Sequence, residues 1–136
     1  MANSLMTETK YQDRHVRVAK LVCLSDDADG TLSDTTSLMD GCFLERVAVV
    51  PATGADAPSG AFDLTIKTSV AQGAKDILGS QGASLSETTP TDIHPYVGGT
   101  PAIVGRFPVY GDLTIALASM GNANTVTIWL IGSLFS

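Results

Sequence analysis

Apolar and polar residues alternate with a period of two along much of this chain, and the clearest case lies near its end. Leu113, Ile115 and Leu117 alternate with Thr114, Ala116 and Ala118. Val126, Ile128 and Leu130 then alternate with Thr125, Thr127 and Trp129. Such alternation places one set of side chains on a single face of a pleated strand. The linker 119–124 contains Gly121, Asn122 and Asn124, residues that tolerate turn conformations. These two runs predict an antiparallel hairpin with one apolar face, which needs further sheet to cover it.

Upstream, His15 to Leu24 carries Val16, Val18 and Val22 on one side and Ala19, Leu21 and Cys23 on the other. Apolar residues on both sides predict a strand covered twice. Cys42 to Val50 reads as a strand ended by Pro51, and Ala61 to Thr68 as one with Phe62, Leu64 and Ile66 inward. Between them, 52–60 is rich in Ala, Gly and Pro and reads as a surface loop. The segment 31–40 is polar, with Leu32 and Leu38 as anchors. Residues 72–96 form a long excursion, expected to hold a short strand at Asp76 to Leu78 and a return near Ile93. Excursions of this length are usually functional or packed on a partner. A Gly/Pro turn at 97–102 precedes the strand-like run Ile103 to Tyr110, where Pro108 suggests an edge or a strand end. Residues 1–13 are polar and aperiodic, and read as an arm. The expectation is an all-β, antiparallel β-sandwich over 14–136 behind a polar N-terminal arm, built from six or seven short strands.

Composition narrows the function classes. A chain of 136 residues with 44% hydrophobic and 16% charged residues fits one folded domain. Its net charge of −6 argues against nucleic acid as a partner, because phosphate binding needs clustered Lys and Arg. The charge is uneven. Up to Leu24, Lys10, Arg14, Arg17 and Lys20 stand against Glu8 and Asp13, whereas the remainder carries four basic residues against twelve acidic ones. That basic start can dock against an acidic neighbour or be a solvated strand face. Cys23 and Cys42 lie in apolar runs and read as small buried hydrophobes rather than a disulfide framework. The start MANSLMTETKYQDR has no apolar h-region, and the run 126–135 is too short and broken for a spanning helix. No membrane partner is expected.

Motifs for chemistry are sparse. SDDADG at 25–30 resembles half of a calcium loop, but Thr36 stands where the bidentate Glu belongs and no helix flanks it, so it reads as a strand-connecting turn. His15 and His94 lack partners at zinc spacing, and no nucleophile elbow or phosphate loop is present. No catalytic, cofactor-binding or metal-binding residue is assigned, and no enzymatic activity is expected. A small hydrolase with a dispersed site is the enzyme-class alternative. Trp129 points away from Val126, Ile128 and Leu130, so it is covered either by the chain's own long loop or by a subunit interface. Trp129, Phe135, Tyr11, Arg14 and Arg17 are the candidate interface residues.

Three stretches recur in a recognisable order: DGCFLERVAVVPATGADAPSGAFDLTIK, KDILGSQGAS and DLTIALASMGNANTVTIWLIG. They contain a strand ending at Pro51, the pair Phe62-Asp63, the turn Asp76-Ile77-Leu78-Gly79 and the turn Gly121-Asn122-Ala123. Over roughly residues 40 to 131 the chain resembles small virion proteins from the structural modules of tailed bacteriophages. His94-Pro95 and the segment before Arg14 fall outside that pattern. The resemblance implies a non-enzymatic virion protein, assembled in the host cytoplasm and needing no cofactor. The role implied is capsid decoration (cement), with the major capsid protein and sister copies as partners. A neck, tail or receptor-binding component, with a sugar-binding loop at 79–96, is the alternative.

Overall fold

The computed structural model describes residues 4–26, 29–98 and 103–135. Among the described residues eleven strands follow one another: β1 (Leu5–Asp13), β2 (Val16–Leu24), β3 (Leu32–Thr36), β4 (Cys42–Pro51), β5 (Asp63–Lys67), β6 (Thr91–Ile93), β7 (Tyr96–Gly98), β8 (Ile103–Val104), β9 (Phe107–Pro108), β10 (Leu113–Ala118) and β11 (Thr125–Leu134). They form a β-sandwich. The larger sheet runs β1-β2-β11-β4-β6, with β9 sharing the far edge of β4, and the smaller runs β3-β10-β5. Every pairing is antiparallel. Two short 3-10 turns, at Gly54–Asp56 and Val70–Gln72, are the helical segments among the described residues.

Alternation decides what meets between the sheets. Ala19, Leu21 and Cys23 of β2, Leu44, Val47 and Val49 of β4, and Val126, Ile128 and Leu130 of β11 are buried on one side of the large sheet. Opposite them lie Leu113, Ile115 and Leu117 of β10, Leu64 and Ile66 of β5, and Leu32 of β3, all in one hydrophobic cluster. At about 25 cal/mol per Å² of apolar surface removed from water, this double layer is the dominant stabilising term.

The strands expected to form a terminal hairpin do not pair with each other. β10 lies between β3 and β5 in the small sheet, whereas β11 lies between β2 and β4 in the large one. The linker 119–124 is a corner that carries the chain from one sheet to the other. Ser119, Gly121 and Ala123 all have positive φ there, and Asn124 donates through Nδ2 to the Met120 carbonyl. Stacking the two apolar faces across the core buries both, which a flat hairpin would not.

The polar start is also different from the arm expected of residues 1–13. Leu5–Asp13 is an edge strand, in unbroken register with β2 from Leu5 opposite Leu24 to Asp13 opposite Val16. Its polarity follows from its position: only Met6 is buried. The polar segment 31–40 likewise contains a strand, β3, held by Leu32 and Thr36 at its ends. The expected strand at Asp76 to Leu78 is instead a turn, joined to β5 by a bridge from Lys67 to Asp76. The excursion 72–96 packs on its own chain: Ile77, Leu78 and Leu85 are in the core, and the Asp76 carboxylate accepts from the Leu78 amide at 3.1 Å.

Register shifts once in the large sheet, where Ile131 faces Arg46 but Gly132 faces Leu44, leaving Glu45 as a bulge. Gly132 sits at this crowding, because a Cβ there would collide with the Phe43 carbonyl and lie 2.9 Å from Met39 Cε.

Candidate interaction face

The outer face of the large sheet follows from the same alternation. Trp129 on β11 stands beside Lys20 of β2 and Ala48 of β4, and Ile131 stands beside Val18. β1 adds Tyr11 opposite Val18. Val16, Val18, Val22 and Leu24 therefore share one side of β2 with Lys20, while Ala19, Leu21 and Cys23 fill the core. Sequence patterning predicts β2 to be covered twice. Among the described residues the chain supplies one cover, and the second apolar side faces outward.

At the centre of this face, the Tyr11 ring stacks on Trp129 with centroids 6.4 Å apart and planes 26° from parallel. The Lys20 ammonium lies 5.3 Å from the Trp129 ring centroid. Such a contact contributes on the order of 0.5–1 kcal/mol at an exposed site. Tyr11 remains 50% exposed, Val16 48% and Leu5 60%. A shallow depression of about 170 Å³ opens between Tyr11, Gln12, Asp13, Val16 and Val18. Toward β6 the face becomes charged, where Arg46 holds the Asp92 carboxylate through Nη2 at 2.9 and 3.0 Å.

Of the residues expected at an interface, the structure joins Tyr11 and Trp129. Phe135 sits in a separate aromatic group, edge-on to Phe43 with centroids 4.8 Å apart and tilted against Tyr110 at 5.2 Å. The Arg106 guanidinium covers Phe43 at 4.4 Å. Arg17 has a structural role instead: its Nη1 donates to the Leu38 and Asp40 carbonyls at 3.0 and 3.2 Å, and its Nε to Gln12 Oε1 at 2.9 Å. It ties the loop before β4 to the first hairpin. Arg14 is exposed in the two-residue turn of that hairpin, at φ 45°. Neither arginine joins the aromatic pair. Val16, Val18 and Lys20 do line the face, with the two-sided alternation of β2 as their signal, and Ile131 joins them from β11.

The 25–30 cluster is a turn among the residues described, with Asp27 and Ala28 lying outside them. The Asp26 amide donates to the Thr31 carbonyl at 2.8 Å, and the Asp29 carboxylate accepts from the Thr31 amide and hydroxyl. Among the described residues, no group of three His, Cys, Asp or Glu is close enough to hold a metal ion. His94 Nδ1 lies 3.4 Å from the Glu45 carbonyl. Cys23 and Cys42 are free, buried thiols. Burial, reinforced by the Asp34 charge, pushes the Cys23 thiol up to about 12. Burial also raises Cys42, against the opposing charge of Arg17.

No family model and no curated protein matches the chain. Two solved structures of similar extent are carbohydrate-binding modules. One is a CBM36 module in complex with calcium and xylotriose, 17% identical, with 98% of this chain and 99% of that one covered at a TM-score of 0.29. The other is a xylan-binding domain from CBM 22, 12% identical, with 98% and 82% covered at a TM-score of 0.31. At these scores no ligand or site is carried over from either module.

Proposed function

We propose that this chain is a non-enzymatic structural protein of a tailed-phage virion, and that it decorates the head by docking the outer face of its large sheet on the capsid shell. One observation carries the reading: β2 is apolar on both sides and β11 adds Trp129 and Ile131 to its outer side, yet among the described residues the chain covers one side. An aromatic pair flanked by Val16, Val18 and Ile131, with charged groups toward the rim, has the composition of an interface centre. The resemblance of residues 40 to 131 to phage virion proteins supplies the partner, the major capsid protein. Mechanically, each docked copy adds contacts that must break before the shell opens. The neck, tail or receptor-binding reading rests on the same resemblance, and it places far fewer copies on each particle.

Two measurements test the proposal together. Quantitative mass spectrometry of purified virions is expected to find hundreds of copies per particle; a handful would favour the tail or neck reading. Particles stripped of the protein are then incubated with the wild type or with Trp129→Ala. The variant should keep a cooperative melt, because Trp129 is on the outer side, and should bind shells at least tenfold more weakly, as for truncation of a buried interfacial aromatic. Undiminished binding by a folded Trp129→Ala protein would remove this face from the shell contact.

A further inference from the structure

We propose that β1 is the seam of a two-fold dimer, in which Leu5–Asp13 pairs antiparallel with the same strand of a second copy, centred on Thr9. The inference stands on the free edge of the sheet and does not depend on the virion reading.

Among the described residues, β1 is the terminal strand of the large sheet, bonded to β2 on one side. It is nine residues long, and all its side chains except Met6 are exposed. Natural sheets usually blunt such an edge with Pro, a bulge, a short strand or charged side chains such as Lys, which admit only a partner that matches their charge. β1 has no Pro, and its register with β2 is unbroken over its full length. What it does carry is a pair of opposite charges placed symmetrically about its midpoint, Glu8 and Lys10 on either side of Thr9. Neither side chain has an ionic or hydrogen-bonding partner among the described residues.

That symmetry selects one register. Pairing about Thr9 sets Glu8 opposite Lys10 twice, Thr7 opposite Tyr11, and Leu5 opposite Asp13, and it uses all nine residues of each strand. Centring on Glu8 or on Lys10 sets like charges directly opposite each other, which is destabilising. In-register parallel pairing does the same at both positions. Centring between two residues turns the core side of one sheet to the outer side of the other, and the one such register with an ion pair, Lys10 opposite Asp13, joins only residues 10–13 of each strand. The Thr9-centred arrangement is isologous, the commonest form of homodimer symmetry, and main-chain hydrogen bonds along the seam hold it as in other strand additions. It also makes the two outer faces continuous, with Tyr11 of each copy beside the seam.

The test uses the full chain. Sedimentation across a concentration series should show a species of twice the 14.1 kDa chain mass. Residues directly opposite in an antiparallel pair lie about 4.5–5.5 Å apart at Cα, within the roughly 4.4–6.8 Å that a disulfide spans. Thr9→Cys should therefore cross-link to itself under mild oxidation. Thr7→Cys should not, because two Thr7 positions would be four residues apart along the seam. Glu8→Lys replaces two attractive pairs by two repulsive ones and should weaken the dimer about tenfold; adding Lys10→Glu should restore it. Both positions are exposed, so circular dichroism should show unchanged folding. A chain that stays monomeric at all concentrations overturns the proposal. So does a dimer indifferent to Glu8→Lys, one that the double exchange fails to restore, or one that cross-links through Thr7→Cys as readily as through Thr9→Cys.

Discussion

Cys23 shows what a single position reveals before and after folding is known. Its place among alternating apolar residues marks it as buried, and it is fully so. Its titration is shifted first by that burial and then by Asp34, a neighbour from a strand that the polar sequence of 31–40 did not announce. An acid whose pKa rises from 9.0 in the unfolded chain to about 12 in the native one keeps its proton longer when folded. Its contribution is then complete below pH 9 and is lost as pH rises through the window from 9 to 12. The melting temperature of the wild type should fall more steeply across that window than that of Cys23→Ala, with the two curves parallel below pH 9. Parallel curves throughout, measured by calorimetry, would mean that the thiol ionises as freely in the native state as in the unfolded one. Trp129 gives the complementary case: alternation alone placed it on the second face. Its stacking on Tyr11 was not legible, because contact across strands depends on pairing register, which a single strand's pattern does not contain.

At the level of elements, strands with strong two-fold patterning were legible and their partners were not. β2, β4, β5, β10 and β11 all lie where alternation put them. β1 and β3 were hidden because strands at sheet edges bury few side chains and so keep polar sequences. The supposed terminal hairpin failed for another reason. Alternation shows which side of a strand is apolar, and two strands that face each other across a core have the same signature as two that lie side by side. Glycines mark the places where elements crowd. The bulge at Glu45 brings the Phe43 carbonyl against Gly132, leaving no room for a Cβ. Gly132→Ala should therefore destabilise the chain by about 1–3 kcal/mol, the usual cost of overpacking, measured as a lower urea midpoint at unchanged slope. An unchanged midpoint would show that β4 and β11 separate freely at the bulge.

On the scale of the whole molecule, sequence neighbours are seldom spatial ones. β11, near the end of the chain, lies between β2 and β4, and β10 lies between β3 and β5. Enough short strands with turns between them made a sandwich legible, whereas the division into two sheets is a property of long-range pairing. This topology gives the strands unequal weight. β11 is bonded on both sides and contributes Val126, Ile128 and Leu130 to the core. β1 is bonded on one side and contributes Met6. A chain beginning at Arg14 should accordingly keep a cooperative melt, losing about 1.5–3 kcal/mol for the Met6 side chain and a further amount for the edge hydrogen bonds. It should also be monomeric at every concentration, because its seam is gone and Tyr11 with it. Deleting 125–134 should abolish the cooperative transition, since β2 and β4 then have nothing between them. Circular dichroism melts and sedimentation on the two truncations separate the roles. If the chain lacking β1 has no cooperative melt, that strand is part of the core structure. If it melts cooperatively yet still forms dimers, the copies meet through another surface, and the outer face around Trp129 becomes the place to look.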